Sequence, residues 1–285
     1  VRSAKKGINE ALEKAKELNI SIPFIPFITV SVGMPGDHHV RKAVITKDCV
    51  SCNLCIPTCP TDAIPKDLII IPELCIGCGN CEAVCPPVAN AISYNHNAKE
   101  LLSVLPKCIN EGAESIELHA GVPDDESTLK EWQVVSESVP NGMISMCLDR
   151  KHLSNDSLVD RIKAAHEIAS DRLIIQADGI PMSGGKDDFN TTLQAVSIAD
   201  TINKQLKQKD PTFKNLPILI SGGTNTYTGS LARQCGVNFN GITIGTHARK
   251  VISSYQAKPS TINNKIIRQA VESAKKLIEL NLYGK

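Results

Sequence analysis

Eight of the eleven cysteines in this 285-residue chain lie between Cys49 and Cys85. They form two runs of one phrase: Cys49-Val-Ser-Cys52-Asn-Leu-Cys55-Ile-Pro-Thr-Cys59-Pro60, then Cys75-Ile-Gly-Cys78-Gly-Asn-Cys81-Glu-Ala-Val-Cys85-Pro86. Each reads C-x2-C-x2-C-x3-C-P, and each leads to an Ala-Ile pair, Ala63-Ile64 and Ala91-Ile92, the second after a longer spacer. Thiolates are soft ligands that select zinc, copper(I) or iron-sulfur clusters. Cysteines with two residues between them sit on a tight loop whose backbone N–H groups can face anionic sulfides. Pro60 and Pro86 redirect the chain just past the fourth cysteine of each run. Zinc, the alternative, takes four ligands from paired C-x2-C sets far apart, whereas here three cysteines recur at every third residue, twice. The chemistry indicated is iron-sulfur.

This spacing is the bacterial two-cluster ferredoxin pattern, in which the fourth cysteine of each run ligates the other cluster. It assigns Cys49, Cys52, Cys55 and Cys85 to one [4Fe-4S] cluster and Cys75, Cys78, Cys81 and Cys59 to a second. The apolar segments Ala63-Ile64 and Leu68–Ile71 are expected beside the clusters. Cys108, Cys147 and Cys235 stand among apolar neighbours and read as small buried hydrophobes. An odd cysteine count in a chain of this length argues against a disulfide framework.

Composition excludes several functions. Lys and Arg number 31 against 30 Asp and Glu, a net charge of +1, so no overall field draws the chain to nucleic acid or an anionic membrane. Apolar stretches fall well short of the ~20 residues that span a bilayer, so no membrane insertion is expected. Aromatic residues make up 4%, too few for a base-stacking platform. The sequence opens on Val1 within a Lys-rich helical pattern, and a targeting peptide or further N-terminal segment is expected before it.

Around the cysteine block, hydrophobic periodicity alternates between helix and strand. A helix is expected over 2–18, a strand over 27–32, then helices near 98–111, 124–138, 156–169, 190–208 and 226–235. Strands are expected between them over 115–119, 143–148, 172–177, 216–221 and 241–244, with helices to the C-terminus. Alternating βα units imply a parallel sheet covered by helices. Six strands fit a (β/α)8 TIM-like barrel lacking its N-terminal strands in this chain, with an open doubly wound sheet as the alternative. The barrel domain would comprise residues 1–40 and 96–285, and the two-cluster ferredoxin-like module 41–95 would be inserted on the loop side where barrel active sites form.

Gly222, Gly223 and Thr224 end the penultimate strand and Gly245 the last, where barrels often seat a phosphate or other anion. The plainer reading is that these glycines permit tight strand-to-helix turns. Glu117, His119, Asp149, Gln176, Asp178, Thr224 and Asn225 also stand at strand ends. His119 reads as a hydrogen-bonded strand-end residue and Asp178-Gly179 as turn chemistry. The Gly-, Pro- and Asp-rich stretch 179–188 reads as a loop over that face, and the lysines of 204–209 as a solvated helix face. No catalytic residue is assigned.

The cysteine duplication, followed by Asp178-Gly179-Ile180-Pro181-Met182-Ser183-Gly184 and Ser221-Gly222-Gly223-Thr224-Asn225, resembles the light-dependent period (LdpA) family of cyanobacteria and plastids over most of the chain. The resemblance implies an iron-sulfur protein that senses the redox state of photosynthetic electron transport and passes it to the circadian clock, without an enzymatic reaction. It carries over the same eight cysteines as cluster ligands and implies additional strand and helix segments before Val1. Protein redox partners and a location in the chloroplast stroma or cyanobacterial cytoplasm follow. Two other functions compete: a subunit of a larger photosynthetic or respiratory assembly stapled by its clusters, and a flavin-dependent oxidoreductase that holds FMN through Gly222, Gly223 and Gly245.

Overall fold

The computed structural model describes residues 1–34, 37, 41–72, 74–75, 77–96, 101–179, 188–245, 248 and 264–283. Its strands are β1 (Thr29–Gly33), β2 (Arg41–Ile45), β3 (Ile92–His96), β4 (Ser115–His119), β5 (Ile144–Leu148), β6 (Leu173–Asp178), β7 (Ile218–Ser221) and β8 (Gly241–Thr243). Its helices are α1 (Arg2–Glu17), α2 (Asn80–Ala83), α3 (Leu101–Asn110), α4 (Asp125–Ser138), α5 (Asn155–Ala169), α6 (Asp188–Ile202), α7 (Thr228–Gln234) and α8 (Asn264–Tyr283).

The fold is α/β. Six strands form a sheet in the order β1-β4-β5-β6-β7-β8, and β2 pairs separately with β3. The pairs β1–β4, β6–β7 and β7–β8 are parallel, whereas β2–β3 is antiparallel. Apart from the inserted pair, strand order follows chain order. A doubly wound sheet reverses its order at a switch point, and no reversal occurs among the described strands, so the sequential winding is that of a βα barrel segment.

Chain contacts divide the molecule into two compact units, one of Val1–Met146 with Arg161–Leu173, the other of Cys147–Asp160 with Ile174–Lys285. In the first unit, β1 runs beside β4 from Thr29 opposite Ser115 to Gly33 opposite His119. Ile116 and Leu118 on β4 are fully buried, as are Trp132 and Val135 on α4. Asp124 caps α4 by accepting from the Ser127 amide at 3.1 Å. The Trp132 indole donates to the Ala165 carbonyl at 3.0 Å, which ties α4 to the end of α5. Arg161 is buried, and its Nη1 donates to the Ala120 and Val122 carbonyls at 2.6 and 2.7 Å while its Nε pairs with Asp125 at 2.6 Å. A buried cation thus holds the β4–α4 loop and is compensated at each of these contacts.

In the second unit, small and branched residues of α6, including Ala195, Ile198, Ala199 and Ile202, are buried with Ile218 and Ile220 of β7. The helix expected over 190–208 changes hand-over at Asn203 to a single π turn, Asn203–Lys207. Asn203 donates its side-chain amide to the Asn238 carbonyl at 2.8 Å, and this tertiary bond accompanies the change of pitch. Lys204 does lie on a solvated face, paired with Asp200 at 2.7 Å. Lys207 instead donates to the Leu216 carbonyl at 2.7 Å, and burial lowers its ammonium below the usual lysine range. Helix α7 packs on α8, where the Gly229 amide donates to Asn281 Oδ1 at 3.3 Å and Arg233 Nη1 to the Asn281 carbonyl at 3.0 Å.

Candidate metal centre

The insertion between β1 and β4 is built on the β2–β3 pair, in which Ala43 faces Tyr94 and Ile45 faces Ile92. Ala43, Ala63, Ile64, Cys55, Cys75 and Cys81 form a small buried core, with Ile45, Leu68, Ile70 and Ile92 packed against it. Ala63, Ile64, Leu68 and Ile70 therefore do lie beside the cysteines. Ile69 turns outward and is 70% exposed.

Backbone geometry repeats with the sequence. Ser51 and Gly77, each just before the second cysteine of its run, have φ of 55° and 66°. Asn53 and Gly79, each just after it, have φ of 60° and 87°. Alternation of left-handed residues with right-handed ones turns successive amide N–H groups to one side, the geometry that suits anions. The fourth cysteines behave alike too. Asp62 and Asn90 have φ of 53° and 40°, and the next residue in each case donates its amide to the fourth cysteine: Ala63 to Cys59 Sγ at 3.2 Å and Ala91 to Cys85 Sγ at 3.3 Å. Ser51 and Ala43 donate in the same way to Cys49 Sγ and Cys75 Sγ, both at 3.4 Å.

These loops enclose two cavities. One is lined by Cys49, Cys52, Cys55 and Cys85 with Leu54, Leu68, Ala91 and Ile92. The other is lined by Cys75, Cys78, Cys81 and Cys59 with Ala43, Ile64, Ile70 and Asn80. Each thus takes three cysteines from one run and the fourth from the other. Cys55, Cys75 and Cys81 are buried, whereas Cys52 and Cys78 are exposed.

Burial pushes the Cys81 thiol up to about 11, with charge on Cys78 and Cys75 adding to the rise. Burial also raises Cys55, with smaller contributions from Cys49, Cys52 and Cys85. Crowded thiols in a low-dielectric pocket resist ionisation until a cation shares the site. Two four-thiol cavities with apolar walls and amide donors to sulfur fit an anionic iron-sulfur cluster.

Known proteins agree. Residues 108–280 match the family described as light dependent period A C-terminal domain, which covers more than half of the chain. The chain belongs to the light-dependent period A family. Residues 46–62 and 68–89 each match a 4Fe-4S binding domain. The chain is 43% identical over 51 residues to ferredoxin Fdx2 of Sorangium cellulosum strain So ce56, covering 15% of this chain and 50% of that protein. It is 48% identical over 54 residues to a ferredoxin of Alicyclobacillus acidocaldarius subsp. acidocaldarius, covering 17% of this chain and 67% of that one.

The other residues singled out in this light-dependent period A family member have different surroundings. A side chain at Gly222 would meet Thr192 and Thr228 hydroxyls at 2.7 Å, and one at Gly223 would meet Asp188 backbone at 2.7 Å. Close packing alone therefore requires both glycines. Thr224 joins a hydroxyl chain, with its Oγ1 2.8 Å from that of Thr192 and 3.2 Å from that of Thr228. Gly245 has open space where a side chain would begin. Glu117 and His119 lie 3.6 Å apart at the end of β4, both largely buried. Asp178 accepts from the Gly179 amide at 3.0 Å, as expected of turn chemistry. Cys147 is buried as expected but is not purely apolar: Gln176 Nε2 donates to its Sγ at 3.4 Å, and Asp178 Oδ2 lies 3.8 Å away. Thr243 in turn donates to Gln176 Oε1 at 3.1 Å. No sequence motif marked this chain of contacts, because its members come from three separate strands. Residues 180–187 of the expected loop lie outside the described residues, and among those described no helix is long and apolar enough to cross a membrane.

Proposed function

We propose that the protein holds two [4Fe-4S] clusters, one on Cys49, Cys52, Cys55 and Cys85 and the other on Cys75, Cys78, Cys81 and Cys59. In this reading it exchanges single electrons with protein redox partners and so reports the redox state of photosynthetic electron transport. The supporting observation is the pair of cavities, each lined by three cysteines of one run and the fourth of the other. When bound, the clusters supply one-electron chemistry; the chain's residues provide thiolates, amide donors to sulfur and an apolar wall. The exposed Cys52 and Cys78 bring each site to the surface, where a partner can exchange an electron. The sequential sheet fits a (β/α)8 barrel as its carrier, and the family fits a place in the plastid stroma or cyanobacterial cytoplasm.

Reductive titration of anaerobically purified protein tests this reading. Uptake of two one-electron equivalents per chain, with no flavin in the acid supernatant, is expected. Stoichiometric flavin would replace it with a flavoenzyme wired by the clusters, and fewer than two equivalents would remove the two-cluster reading.

A further inference from the structure

The two cysteine loops share left-handed residues at matching positions but differ in what packs against them. Arg41, at the start of β2, donates from Nε to the Gly77 carbonyl at 2.8 Å. Its guanidinium lies 4.1 Å from the centre of the Tyr94 ring, and Tyr94 donates its hydroxyl to Glu82 at 2.8 Å. Lys42 donates from Nζ to the Cys75 carbonyl. Two cations therefore bond directly to the loop Cys75–Cys81, against one carboxylate, Glu82, which follows Cys81 in the chain and brings its Oε2 within 4.0 Å of where a side chain at Gly79 would begin. Among the described residues, no lysine or arginine donates to the corresponding loop Cys49–Cys55.

Sequence permits this difference. A side chain at Gly79 would meet Arg41 Nη2 at 3.1 Å and the Tyr94 hydroxyl at 3.7 Å, so a Cβ there would crowd the guanidinium. The equivalent residue of the first loop is Asn53, which has a side chain in the same left-handed conformation. Arg41 also fixes a peptide dipole. With the Gly77 carbonyl held by the guanidinium, the N–H of that planar trans peptide, on Cys78, points the opposite way.

We propose that Arg41 and Lys42 make the second site the one that holds the electron. The inference rests on the ligand assignment above. A low-potential one-electron donor loses one electron and the second cluster gains it; no bond breaks and no proton moves. A cluster on four thiolates becomes more negative by one charge on reduction, so nearby fixed positive charge stabilises the reduced form and raises the potential. Glu82 offsets part of that charge, and the excess is one cation. Arg41 and Lys42 are thus positioning residues that set the direction of internal electron flow, from the first site to the second.

The test is an EPR-monitored redox titration of the full chain after anaerobic reconstitution, with iron content measured on each sample. Cys78→Ser marks which signal belongs to the second site. Two midpoints are expected in the unsubstituted protein, with the second site the higher. In Arg41→Gln and in Lys42→Gln the second-site midpoint should fall by at least tenfold in the reduction equilibrium, about 59 mV for one electron, with the first unmoved. Gly79→Asn, which transplants the first-loop residue, should displace Arg41 and lower the same midpoint without removing a charge. Variants with full iron whose second-site midpoint does not fall, or whose first-site midpoint falls instead, overturn the inference. Iron well below two cubanes in the unsubstituted protein overturns the ligand assignment itself, a separate result.

Discussion

Cys59 and Cys85 each close a cavity formed by the other run, and each receives an amide bond from an alanine that follows a left-handed residue. Cys59→Ser should therefore remove or alter the cluster on Cys75, Cys78 and Cys81 and spare the one on Cys49, Cys52 and Cys55. Iron analysis with EPR reads this, and loss confined to the first site would refute the crossing. The thiols also impose a pH dependence on protein stripped of iron. Cys81 titrates near 11 when folded, above its value in an unfolded chain. The folded state then holds a proton the unfolded state has lost, so this contribution is present below about pH 8.5 and is lost as pH rises toward the folded value. Denaturant melts of the iron-free protein should show stability falling through that alkaline window, and a rise there would contradict the burial assigned to Cys81. The gathering of the eight thiols in two sets of four was legible from spacing alone. The left-handed turns were only partly legible, because Gly77 and Gly79 signal them but Ser51, Asn53, Asp62 and Asn90 do not. Asn and Asp enter that region at modest cost, which hides the turn in the sequence.

Among the elements, βα periodicity located each strand of the parallel sheet to within a residue or two, because buried strands and amphipathic helices carry strong patterns. The strand expected from Phe27 starts at Thr29, and Phe27 is 71% exposed. The β2–β3 pair escaped notice: Arg41–Ile45 and Ile92–His96 are short, and each mixes charged or polar residues with apolar ones. Such strands owe their pairing to the tertiary setting, not to propensity. The contact of α7 with α8 was equally invisible, since it depends on a close approach at one glycine. A side chain at Gly229 would meet the Asn281 carbonyl at 2.4 Å. Gly229→Ala should destabilise the second unit by about 1–3 kcal/mol through overpacking, with hydrogen exchange speeding up in α7 and α8. Unchanged stability would mean that α8 packs elsewhere.

For the molecule as a whole, metal and fold are coupled unequally. The module between β1 and β4 has a small core in which cysteines are themselves members, whereas the second unit has an extended aliphatic core of its own. Binding free energy at a metal site that is absent from the unfolded chain becomes folding free energy. Chelation of iron should therefore raise amide exchange across 41–96 and leave the slow exchange of α6 and β7 in place; loss of protection in both together would show that the module's metal also supports the second unit. The central claim is two four-iron clusters on one chain, and iron with acid-labile sulfide in anaerobically purified protein tests it most directly. About eight of each per chain is the predicted result. About four of each, or zinc without sulfide, would contradict it.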